Sequence, residues 1–214
     1  MTDQSPGAGT REGMPGAFVS SREFVSRQVG RIQGGYLRRP QSAWSRASLA
    51  QLRRGVGRDV GAVPEILELT VNPDAPPAWS DAPTRDEIAV HTAMTLYAVH
   101  QQSQLLPMHA SRVSFGSALG AIRYVDGKEN AGVVRRFQAM GTASSLEELV
   151  HHARSLITML RSANRGFDYG QFAEDLVMFQ KPGRADRVRL KWGRDFYRAA
   201  VPPTTTTSAT EEPS

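Results

Sequence analysis

The sequence contains no cysteine. That excludes disulfides, thiolate nucleophiles, thiol-ligated zinc and iron–sulfur clusters. No apolar run approaches the roughly 18 residues a membrane-spanning helix needs. The opening residues, MTDQSPGAGTREGMPGAF, lack an apolar stretch of the secretory kind. The expectation is a cytoplasmic protein with no membrane association. Catalytic signatures are missing as well: there is no H-E-x-x-H, no P-loop and no G-x-S-x-G. Clustered carboxylates for two-metal chemistry are absent, since Glu174 and Asp175 stand alone on one helix. The expectation is therefore no enzyme, no catalytic residue, no metal and no cofactor.

Lysine is also scarce. Only Lys128, Lys181 and Lys191 occur, against 23 arginines, and the formal net charge is +5. The charge is unevenly spread: residues 1–58 carry +7, residues 59–110 carry −6 and residues 111–200 carry +6. Arginine in two basic blocks suits phosphate contact, because the guanidinium fork matches phosphate oxygens. A GC-rich genome produces arginine-rich composition too, so composition leaves both readings open.

At 214 residues the chain fits one domain, or one and a fragment. Residues 1–20 are rich in Gly, Pro and Ser, and residues 201–214 are low in complexity; both are expected to be disordered. Apolar spacing predicts helices over 21–37, 42–54 and 84–103, with a short one beginning at Pro64. Further helices are predicted over 114–125, 129–140, 146–160, 168–179 and 186–200. The last also reads as a short alternating strand. Thr84/Glu87 and Ser145/Glu148 are capping boxes, Asp168 is an N-cap, and the prolines of 72–83 mark a loop. The expected fold is all-α: helical bundles, with a smaller N-terminal helical part packed on a C-terminal bundle.

The last helix carries the clearest functional pattern. At about 100° per residue, Lys191, Arg194 and Arg198 fall within about 40° of Arg187. Val188, Trp192 and Phe196 fall about 100° to 180° away and form an apolar seam. Like charges at i,i+4 repel, so an external polyanion would relieve the stripe. The competing reading is a solvated face balanced by Asp186 and Asp195. Arg135 and Arg136 lie opposite the Val133/Phe137/Met140 seam, and Arg53, Arg54 and Arg58 cluster at the end of the second helix. There a helix C-terminus also favours cations for its dipole. The histidines do not converge: His91 and His100 lie on opposite faces of one helix, and His151 and His152 diverge. Trp192, Phe196, Phe137 and Phe172 sit at core spacing, which assigns them to packing rather than base stacking. The spacing leaves Tyr97, Tyr124 and Tyr197 unassigned.

Several segments, taken in order, resemble one family: SLAQLRRG at 48–55, VPEILEL at 63–69, LYAVHQQ at 96–102 and VSFGSALG at 113–120. VVRRF at 133–137, TMLR at 158–161, FDYGQFAEDL at 167–176 and VRLKWGRDFY at 188–197 continue the series. The chain resembles the CasB family, the small subunit of the type I-E CRISPR Cascade effector complex. The resemblance implies an all-α protein without enzymatic activity. It also implies a head-to-tail homodimer in the complex, contacting the large subunit and the crRNA-bearing backbone subunits. The implied role is to stabilise the R-loop along the path of the displaced target-DNA strand. The family's basic positions carry over to Arg53, Arg54, Arg135 and Arg136, with Arg123, Lys191 and Arg194 suggested by position. Where some family members carry a basic residue after the glycine of the 113–120 segment, this chain has Ser117. A stand-alone helical nucleic-acid-binding protein and a purely structural scaffold subunit are the alternatives.

Overall fold

Ser20 starts the first helix. Its hydroxyl accepts the Glu23 amide at 3.2 Å while the Glu23 carboxylate takes the Ser20 amide, a reciprocal capping box that satisfies two otherwise orphaned donors. The computed structural model describes residues 18–198. The expected disorder of 1–17 and of 201–214 lies outside the described residues, whereas Phe18 to Ser20 lead directly into the first helix.

Helices α1 (Ser21–Leu37) and α2 (Ala43–Arg54) form an N-terminal pair. A 3₁₀ turn at Pro64–Ile66 then leads into the short α3 (Leu67–Thr70). The prolines of 72–83 form the predicted loop, on which Trp79 is fully exposed. Helix α4 (Arg85–His100) opens with the predicted Thr84/Glu87 box, at 2.7 Å and 3.2 Å for the two backbone bonds. It packs against α1, α2, α7 and α8, and so is apolar nearly all round.

The C-terminal half holds α5 (Phe115–Gly120), α6 (Ala131–Gly141), α7 (Leu146–Ser162), α8 (Tyr169–Phe179) and α9 (Ala185–Arg198). Helix α5 lies along α9, α6 along α7, and α8 crosses to pack on α1 and α4. One continuous core therefore joins both halves, running from Phe24 and Ile32 to Trp192 and Phe196. The loop after α4 is drawn to the start of α8: Phe167 donates to the Met108 carbonyl at 3.2 Å, and Ala110 to the Phe167 carbonyl at 3.0 Å. The Gln33 amide holds both backbone groups of His109.

Two expectations change. The predicted helix over 114–125 stops at Gly120, and residues 124–129 form a hairpin of β1 (Tyr124–Val125) and β2 (Lys128–Glu129). Asp126 (φ 50°) and Gly127 (φ 75°) make its two-residue turn. Asp-Gly tolerates positive φ at both positions, which matches strand twist. The Ser145 hydroxyl caps α7 as expected, but the Glu148 carboxylate takes the Ser144 amide, at 2.7 Å, instead of that of Ser145. Residues 185–198 are helix and not strand.

Candidate nucleic-acid interface

Helix α9 is built on its seam. Val188, Trp192 and Phe196 are buried, and Trp192 stacks on Phe172 with ring centroids 5.9 Å apart. The Asp175 carboxylate of α8 accepts the Trp192 indole N–H at 2.7 Å and the Lys191 ammonium at 2.6 Å. Burial pushes the Asp175 pKa up, opposed by the bonds from Lys191 and Trp192. Lys191 is thereby committed to the core side of the helix, although spacing alone places it in the basic stripe.

Arg187, Arg194 and Arg198 remain on the solvent face and are exposed. The two carboxylates expected to balance them are engaged elsewhere. Asp186 pairs with Arg189 at 2.6 Å, and Asp195 accepts the Ser114 hydroxyl at 2.7 Å. Arg189 itself is structural: its guanidinium donates to the Ala143 carbonyl and lies over Phe179. Among the described residues no ion pair reaches Arg187, Arg194 or Arg198.

Arg135 and Arg136 are exposed on α6. Arg136 donates to the Gly132 carbonyl one turn earlier, at 3.2 Å, and borders a shallow groove with Ser155, Thr158 and Met159 of α7. Stacked Phe137 and Phe196, 4.0 Å apart, tie α6 to α9. The α2 cluster belongs to the other half of the fold, where α2 packs on α1 and α4. There Arg53 is half-buried, Arg54 pairs with Glu65 at 2.6 Å, and Arg58 is exposed. Both members of the Arg54–Glu65 pair are more than half exposed, so the pair is weak and exchangeable.

Arg123 departs from its expected place. It is only 8% exposed. Its guanidinium donates to the Tyr124 hydroxyl at 3.0 Å and lies over the rings of Tyr124, Tyr197 and Phe196. Glu129 stands 3.9 Å from its Nε. The hairpin after α5 turns this arginine inward against α9, which removes it from the solvent-facing set.

Two exposed apolar side chains, Leu190 (53%) and Tyr197 (54%), share the outer face of α9. The helical period places them about 60° and about 80° from Arg187, so this was readable from spacing. Among the described residues no group of three or more His, Asp or Glu side chains could hold a metal ion. No described helix is long and apolar enough to cross a membrane.

A model of the family described as CRISPR-associated protein Cse2 matches residues 48–197. Among solved structures, CasB from Thermobifida fusca is similar at 32% identity and a TM-score of 0.72, covering 85% of this chain and 99% of that one. CasB from Thermus thermophilus is similar at 23% identity and a TM-score of 0.60, covering 84% and 99%. A chain of a CRISPR RNA-guided surveillance complex is similar at 22% identity and a TM-score of 0.61, covering 84% and 94%. The last two likenesses concern the fold. No curated protein matches the chain.

Proposed function

The chain belongs to the Cse2 family of CRISPR-associated proteins, and from that premise we propose that it is a non-catalytic subunit of an RNA-guided surveillance complex that grips nucleic-acid backbone. The observation that carries this reading is the solvent face of α9, where Arg187, Arg194 and Arg198 have no carboxylate partner among the described residues. Charges held on one helical face without internal compensation are relieved by an external polyanion. Arginine presents the fork that fits phosphate oxygens. Arg135 and Arg136 supply a second exposed pair. Arg53, Arg54 and Arg58 supply a third cluster, in which Arg54 exchanges Glu65 for phosphate.

Phosphate contacts position a strand but carry no base code. In an R-loop, pairing with the guide reads sequence, and protein stabilises the freed strand through its backbone. The proposed ligands are the displaced target-DNA strand and the crRNA region. The proposed protein partners are the large and backbone subunits of a Cascade complex and a second copy of this chain.

The test is co-purification of the tagged chain from cells expressing its genomic neighbours. A ribonucleoprotein with a short, uniform guide RNA is the expected product; recovery of the chain alone overturns complex membership. The salt dependence of single-strand binding then separates gripping from scaffolding. Arg187→Ala, Arg194→Ala and Arg198→Ala together should lower the single-strand salt slope by about 2, at about 0.7 per contact. An unchanged slope favours a scaffold that docks acidic protein surfaces.

A further inference from the structure

Tyr197 is a residue on α9 whose exposed side neither packing nor phosphate binding accounts for. It is 54% exposed, yet it lies next to Arg198 and three residues after Arg194, on the outer face of the helix. Leu190 shares that face. A face that only carried solvated charge would gain nothing from two large apolar side chains interleaved with its arginines. Aromatics interleaved with cations are what a single strand uses, because phosphates meet the charges while a base covers the ring.

The ring is also held in place before any ligand arrives. Tyr197 meets Phe196 edge-on, with centroids 4.9 Å apart at 86°, and meets Phe137 at 6.4 Å and 86°. The Arg123 guanidinium stands 5.4 Å from its centroid. Arg123 is itself fixed by the Tyr124 hydroxyl and the nearby Glu129 carboxylate. A ring oriented in advance loses little freedom when a base stacks on it.

We propose that Tyr197, backed by Arg123 and flanked by Arg194 and Arg198, is a stacking platform for one unpaired base of a single nucleic-acid strand. This rests on the reading of α9 as a phosphate-gripping face and adds a base contact to it. Every base has a π-face, so the contact is sequence-tolerant.

The test compares the full chain's affinity for an oligothymidine of about 20 nucleotides with its affinity for an abasic strand of the same length and phosphate number. The wild type should prefer the base-bearing strand by about fivefold or more, the low end for one stacked base. Tyr197→Leu keeps apolar bulk but should abolish that preference and leave abasic affinity unchanged. Tyr197→Phe should retain the preference, and Arg194→Ala should weaken both strands alike. Equal wild-type affinity for the two strands, or a preference that survives Tyr197→Leu, overturns the stacking platform and leaves the phosphate reading standing. Binding that is absent, or insensitive to salt on both strands, overturns the phosphate reading and the platform with it.

Discussion

Asp175 of α8 holds Lys191 of α9 at 2.6 Å, and this one contact divides the cations of α9 into two kinds. Asp175 is buried and Lys191 is about one-third exposed. Lys191→Ala leaves a buried carboxylate with only the Trp192 indole as donor. Breaking a fully buried pair costs about 3–5 kcal/mol; discounted for the partly solvated lysine, the expected loss is about 1–3 kcal/mol. Arg194→Ala, by contrast, should change stability by less than about 0.5 kcal/mol, as exposed positions do. Chemical denaturation of the two variants checks the contrast. Equal losses would mean that Arg194 also has a structural partner.

Helices α5 and α9 approach closely at Gly116. A Cβ there would lie 2.4 Å from the Trp192 carbonyl oxygen and 2.9 Å from the Trp192 Cα. Both are backbone atoms, so the helices must separate. Gly116→Ala is expected to destabilise by about 1–3 kcal/mol through overpacking. Gly193 meets nothing within 4 Å. Gly193→Ala, in the interior of α9, should stabilise by up to about 1 kcal/mol, the helix-propensity difference. Thermal melts that fail to move in opposite directions would refute the close approach.

Helix positions were legible because the long helices combine apolar spacing with explicit caps: Thr84/Glu87 and Asp168 mark starts that the structure shows, whereas the Ser20/Glu23 box went unread. The hairpin was missed because Leu119, Ile122 and Tyr124 keep apolar character through the break, and Asp126-Gly127 was the overlooked turn signal. The buried seam of α9 followed from its period alone. What period could not supply was partnership across the fold. Lys191 is claimed by Asp175, 16 positions away in sequence, and Asp195 by Ser114, 81 positions away. Arg123 turned inward for the same reason: its aromatic surroundings come from α9.

Arg123→Ala should therefore act on stability rather than on salt dependence. It removes a guanidinium from three aromatic rings and a hydrogen bond from the Tyr124 hydroxyl. Lost packing and cation–π contact together suggest a cost of about 1–3 kcal/mol. The single-strand salt slope should stay within the error of the wild type. A slope lowered by about 0.7 with an unchanged melting temperature would restore Arg123 to the phosphate-binding set.

Acid should open the core at its histidines. His100 is fully buried, its Nδ1 lies 3.0 Å from the Tyr169 hydroxyl, and its ring stacks on Phe167. Burial pulls its pKa down from 6.5 to about 3; the Arg165 backbone opposes the shift, and the Arg161 charge adds a smaller push downward. Burial also lowers His91 and His109. A depressed histidine pKa means that the unfolded chain takes up protons first as pH falls. The stabilisation is complete above the unfolded pKa near 6.5 and disappears progressively towards the folded value near 3. His100 alone corresponds to about 5 kcal/mol across that window. Stability measured by denaturation should hold at pH 7 and above and fall steadily from about pH 6 downward. In the folded protein the His100 ring resonances should not titrate between pH 7 and pH 5. A midpoint near 6.5 for those resonances would show that the ring reaches solvent, and the acid sensitivity would then have to come from His91, His109 or the carboxylates.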